Sequence, residues 1–240
     1  MRGLVFLCMT SLFLSATFPA EAELPAPRFR PAVLGSGPDS LVNRIDTQDL
    51  LKKGQKDGAI MFCCRVPTTG DVVSYTTYLP LPGSDLLEAE VRKRLDTARL
   101  APAIYEHKPV EVLFYGTVFF SIVEGKPKLH IFANQEAAEL KAANDFIGPQ
   151  PVIGADSKFT GLHYPRERMT VFVKGLARLA LKVDATGNLQ DLQAVSEEPP
   201  LVGLAQAALT DFTGAKFIPA FRDGDPVESS ILLPLRYEPQ

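Results

Sequence analysis

The sequence predicts an α+β fold of two tandem two-layer units, each running α–β–β–α–β with a three-stranded antiparallel sheet, the first unit with an extra strand. Three observations predict it. The stretch ARLAPAIYEHKPVE at 98–111 is echoed by AKFIPAFRDGDPVE at 215–228, with six of fourteen positions identical. Sliding the chain against itself by 117 residues aligns 58–111 with 175–228 without a gap. That alignment holds 12 identities in 54 positions, where ordinary composition gives about three or four. The matched residues include Gly58/Gly175, Gly70/Gly187, Pro82/Pro199, Pro102/Pro219 and Pro109/Pro226, the residue types that fix backbone geometry.

The second copy has the clearer pattern. Pro165 stands at a helix-start position and predicts a short first helix. Ala177, Leu179, Leu181 and Val183 alternate with Arg178 and Lys182, and Asp184–Asn188 supplies turn chemistry, so 176–195 reads as a β-hairpin. After Pro199 and Pro200, the residues Leu201, Leu204, Ala205, Ala208 and Phe212 recur at helical spacing, and the helix stops near Gly214. In the joint that follows, Phe217 closes the core, Pro219 breaks the helix, Asp223-Gly224 turns, and Pro226-Val227-Glu228 launches a last strand to Tyr237.

The first copy runs the same course. DTQDLLKK is a short helix, 59–78 a hairpin turning at 68–71, and Ser84–Thr97 a helix with Ser84 as N-cap and Leu87, Val91 and Leu95 as its buried stripe. Its last strand, 110–123, is longer, and Lys128–Ala133 reads as an extra strand pairing back on it, with His130 on the surface. RKR at 92–94 is a solvated helix face.

The domain scheme follows. Residues 1–22 have a positive Arg2, an apolar run and an Ala20-Glu21-Ala22 cleavage site, the order of a secretory signal; the run is short of the ~20 residues a spanning helix needs. An uncleaved signal-anchor is the alternative. Residues 23–40 are a Pro-rich, semi-rigid or disordered leader. The first unit covers 41–133, a linker containing a short helix (NQEAAELKAANDF) covers 134–160, and the second unit covers 161–240.

Apolar content of 46% with 22% charge describes a chain able to bury a core. A net charge of −3 gives no electrostatic footprint for nucleic acid. Beyond the signal only Cys63 and Cys64 remain, adjacent on a strand whose side chains point to opposite faces. They read as one buried and one exposed thiol, with a vicinal or intermolecular disulfide as the alternative in an oxidising compartment. No cysteine or histidine spacing matches a metal site, and no nucleophile–base pair or phosphate loop is visible. Asp184, Asp191, Asp223 and Asp225 sit in turns or at strand ends and read as turn formers. Neither an enzyme, a cofactor nor a small-molecule substrate is expected.

These residues resemble the C-terminal domain of TonB, the periplasmic energy transducer. The likeness runs from Tyr164-Pro165 through Gly175 and its alternating strand, the Asp184–Gly187 turn and the Leu204–Phe212 helix. It continues through Phe217–Ala220 and Asp223–Val227 to the closing Leu233-Pro234-Leu235-Arg236-Tyr237. The first copy is similar but lacks the Tyr-Pro and has Glu106-His107 where the second has Asp223-Gly224. The resemblance implies binding rather than chemistry, because such domains dock on the periplasmic side of outer-membrane TonB-dependent receptors. A receptor segment adds as a strand to the last strand of the domain. Carried over, the docking edge is Ser229, Ser230, Ile231, Leu232, Leu233, Leu235 and Tyr237, and the adjoining contact is Gly161, Leu162, His163 and Tyr164.

The departure from the family concerns the N-terminus. An energy transducer needs an inner-membrane helix that engages the ExbB/ExbD motor and a long proline-rich span. Here the signal reads as cleavable, and the leader extends only about 55 Å at ~3.1 Å per residue. The expected protein is a soluble periplasmic binding module, without force transmission, that takes a receptor segment, another envelope protein or a second copy of itself. The alternative is a membrane-anchored transducer for outer-membrane transport.

Overall fold

A stretch rich in apolar and β-branched residues, VEVLFYGTVFFSIV, makes Lys108–Val123 the longest strand among the described residues. A computed structural model describes it within residues 26–133, 146–154, 156–168 and 173–239. In chain order the elements begin with strand β1 (Phe29–Arg30), helices α1 (Leu41–Arg44) and α2 (Thr47–Lys52), strands β2 (Gly58–Val66) and β3 (Val73–Tyr78), and helix α3 (Asp85–Leu95). Strands β4 (Ala103–Tyr105), β5 (Lys108–Val123), β6 (Lys126–Ala133) and β7 (Gln150–Ile153) follow. After a 3-10 turn at Arg166–Arg168 come β8 (Gly175–Val183), β9 (Leu189–Glu198), α4 (Leu204–Phe212), β10 (Phe217–Ile218), β11 (Ala220–Arg222), β12 (Asp225–Val227) and β13 (Ser229–Tyr237).

Every strand pair is antiparallel. In the first sheet β2 lies between β3 and β5, and β5 pairs across its opposite edge with β7 at Glu111–Val112 and with β6 at Gly116–Val123. The second sheet has the order β13–β8–β9. Strand alternation gives β5 two jobs. Val112, Phe114, Val118 and Phe120 face the first core with Leu87, Val91 and Leu95 of α3, while Leu113 and Tyr115 close the second core. That second core joins Leu204, Ala208 and Phe212 of α4 to the inward residues of β8 and β13, with Phe212 4.6 Å from Phe159 and 6.1 Å from Phe217.

Contacts recur at an offset of 117 residues. The N–H of Leu100 donates to the Gly70 carbonyl and that of Phe217 to the Gly187 carbonyl. Gly70 and Gly187 have φ of +83° and +79°, and a Cβ would fall onto the Leu100 carbonyl oxygen at Gly70 and the Phe217 carbonyl oxygen at Gly187, so both positions require glycine. All nine pairs from Val66↔Val112 to Gly58↔Phe120 reappear as Val183↔Ser229 to Gly175↔Tyr237. The bridge Ile147↔Phe221 likewise repeats the pair Arg30↔Ile104.

Four expectations change. The leader, read as semi-rigid or disordered, packs: β1 pairs β4, and Phe29 and Ala32 are core residues. Fully buried Gln150 holds it, its Oε1 accepting the Ala32 N–H and its Nε2 donating to the Ala32 carbonyl, both at 2.8 Å. Prolines leave an extended backbone free to pair at an edge, which composition alone reads as disorder. The linker, in its second half, is β7, which pairs with both β5 and β10 and so stitches the second joint into the first sheet. Ser84 sits at the N-cap of α3, but its hydroxyl accepts the Ala59 N–H; Gln55 Oε1 takes the Leu87 N–H instead. The helix expected after Pro165 is a 3-10 turn where it is described. The secretory signal and the linker helix lie outside the described residues.

Candidate partner-binding site

Strand β13 is an edge strand, paired with β8 on one side along all nine residues. Ile231, Leu233, Leu235 and Tyr237 point into the second core. Pro234 has no N–H, so its pair with Arg178 cannot be a hydrogen-bonded one. Alternation then turns the main-chain groups of Leu232, Pro234 and Arg236 away from β8. The edge is not free along its whole length. Tyr78, a buried residue of β3, donates its hydroxyl to the Pro234 carbonyl at 3.3 Å, and Tyr78, Met61 and Leu176 form a small core of their own between the sheets.

Past Pro234 the edge meets a groove of about 520 Å³. One wall is Thr160–Tyr164, another is Arg236–Pro239, and the third is the back of the first sheet around Cys63, Tyr75 and Leu113. Gly161, at φ +124°, lets the chain bend into this wall. Asp211 then pins it. Its carboxylate accepts the His163 N–H at 2.9 Å, faces His163 Nδ1 at 2.8 Å, and accepts the Tyr237 hydroxyl at 3.2 Å. Burial, reinforced by the Asp211 carboxylate, pushes the Tyr237 phenol well above its ordinary range. Tyr164 is fixed separately, its hydroxyl donating to the Val173 carbonyl and accepting the Val173 N–H.

The groove therefore brings together Gly161, Leu162, His163, Tyr164 and Tyr237 of the expected site. Ser229, Ser230, Ile231, Leu232, Leu233 and Leu235 lie further back on β13, outside the groove lining. Sequence reasoning missed Asp211 and Glu238. Asp211 carried a readable signal: an acid in the last turn of a helix opposes the macrodipole and calls for a specific partner. Cys64 is buried and Cys63 half-buried on the groove wall, both as free thiols. Desolvation pushes the Cys63 thiol up to about 12, which keeps it protonated and unreactive at neutral pH. Among the described residues no cluster of three or more His, Cys, Asp or Glu could hold a metal ion. What the site offers is main-chain hydrogen bonding beside an aromatic wall.

Residues 160–239 match the family model of the Gram-negative bacterial TonB protein C-terminal. This segment is similar to the TonB C-terminal domain family. The match begins at the groove wall and ends with the strand that borders the groove. TonB C-terminal domains are protein-interaction domains of the Gram-negative envelope, and they bind outer-membrane TonB-dependent receptors. No curated protein and no solved structure matches the chain. No helix among the described residues is long and apolar enough to cross a membrane.

Proposed function

We propose that this chain is a periplasmic binding module in which a TonB C-terminal domain takes an extended receptor segment by strand addition along β13, with Gly161, Leu162, His163 and Tyr164 as the adjoining contact. The observation that carries this reading is the groove, where the Thr160–Tyr164 wall meets an edge strand whose Arg236 main chain is turned outward. Each added main-chain hydrogen bond contributes a net ~0.5–1.5 kcal/mol, so a short segment reaches useful affinity only if the aromatic wall also takes its side chains. The recurrence of contacts at 117 residues supports two copies of one unit, the first carrying the leader as its edge strand and the second carrying β7 in the same place. The module works after removal of its signal and passes no force from a motor complex.

Crosslinking from Glu238, exposed at the groove mouth, tests the reading in envelope preparations. A single cysteine or photoreactive residue there is expected to capture an outer-membrane receptor. Capture of no receptor and no other envelope protein from 238, with a control position on β9 giving the same pattern, removes it.

A further inference from the structure

The counterpart of β13 in the first unit already has a strand on its outer edge. Shifted by 117 residues, Ser229–Tyr237 falls on residues 112–120 of β5, in the same register against β2 that β13 keeps against β8. On β5 the edge corresponding to 233–240 is filled by β6, antiparallel, from Gly116↔Ala133 to Val123↔Lys126. Strand β6 also packs against α1 and α2. The same shift takes those helices to 158–169, the stretch that contains the groove wall Thr160–Tyr164. The groove of the second unit is therefore the place that β6 occupies in the first.

Resting on the strand-addition reading above, we propose that β6 is a built-in occupant and shows what the groove takes. The occupant is one extended segment of another chain, antiparallel to β13 across 235–239, with an apolar side chain at every second position. In β6 those positions are Leu129, Ile131 and Ala133, packed against the first core, while Lys128 and His130 stay exposed. Leu162 and Tyr164, partly buried against the second core and both on the groove, form the corresponding wall. The first unit, filled in cis, takes no partner, so the chain binds one segment and not two. At Pro234 the missing N–H and the Tyr78 hydroxyl on its carbonyl set the inner limit of pairing.

A blocked peptide of sequence GKPKLHIFA, residues 125–133 supplied in trans, is the probe, titrated into the full mature chain and followed by amide NMR. The expected result is one equivalent bound, with shifts at Leu162, Tyr164, Arg236 and Glu238. A spin label on its first residue broadens Glu238, and one on its last residue broadens Leu233. Arg236→Pro removes an outward N–H without touching the β8 ladder, as Pro234 already does, and lowers affinity about tenfold while the thermal transition is kept. Peptide carrying Leu129→Asp and Ile131→Asp loses a similar factor. Two equivalents bound, reversed broadening, shifts along β5, or no binding overturns the proposal. If receptor capture from position 238 persists in any of those cases, strand addition stands and only the occupant and polarity fall. If capture also fails, the functional reading falls with it.

Discussion

Asp184 shows how much one carboxylate organises at the residue scale. It accepts the Thr186 N–H and hydroxyl, the Asn188 N–H, and the side-chain amides of Asn188 and Gln190. Burial pushes its pKa up, but the Thr186 and Asn188 bonds outweigh it and hold the group at about 2, against an ordinary 3.8. A carboxyl lowered on folding stabilises fully above its unfolded pKa, and that stabilisation is lost as pH falls from about 3.8 toward about 2. Urea unfolding between those pH values is expected to show the native chain losing stability faster than Asp184→Asn. Asp211 is the second such residue, tying α4 to His163 and Tyr237. Asp211→Ala leaves a buried phenol and a wall N–H without their acceptor and is expected to cost about 1–3 kcal/mol. Faster amide exchange at His163 would accompany it; unchanged exchange there would show that the wall is held by other contacts.

At the scale of elements, periodicity carried far. Helix α4 was legible from Leu204, Ala205, Ala208 and Phe212, the second hairpin from alternation before a Gly-containing turn, and the first from its correspondence with the second. The capping of α4 was not. Its N-terminal N–H groups of Gly203 and Ala205 are taken by Glu197, a β9 residue brought there by the fold rather than by local sequence. Burial pushes the Glu197 carboxyl up, and backbone N–H groups, that of Ala205 foremost, outweigh it and hold it below its ordinary range. Strand β1 was missed for a similar reason. Four prolines dominate 23–40, whereas Phe29 and Ala32 reveal their burial only once Tyr105, 5.5 Å from the Phe29 ring, and Gln150 are in place. Phe29→Ala is expected to lower stability by about 3 kcal/mol, read as a lower urea midpoint. A disordered leader would give no change.

The whole molecule couples two sheets through one shared strand face of β5 and the small core of Met61, Tyr78 and Leu176, while β7 ties the second joint to the first sheet. β7 hydrogen-bonds to β5 and to β10, and Leu113 and Tyr115 of β5 complete the second core. The candidate site was half legible for this reason. Gly161, Leu162, His163, Tyr164 and Tyr237 follow from the family likeness, but the third wall comes from the first sheet, far earlier in the chain, where no local pattern points to it. The same arrangement explains why Tyr78 reaches Pro234 and shortens the usable edge. On the proposed reading, pairing narrows from the full β13 edge expected from sequence to the stretch near Arg236.

Amide hydrogen exchange at Arg236 tests the central claim most directly, measured on the full mature chain alone and with its captured receptor segment bound. An outward N–H at the edge of an antiparallel sheet exchanges fast when free and slows once an added strand accepts it. The predicted result is fast exchange at Arg236 in the free chain, at least about tenfold slower exchange in the complex, and no change at Phe119, its already paired counterpart on β5. Slow exchange at Arg236 in the free chain, or equal exchange with and without the segment, would contradict strand addition at this edge.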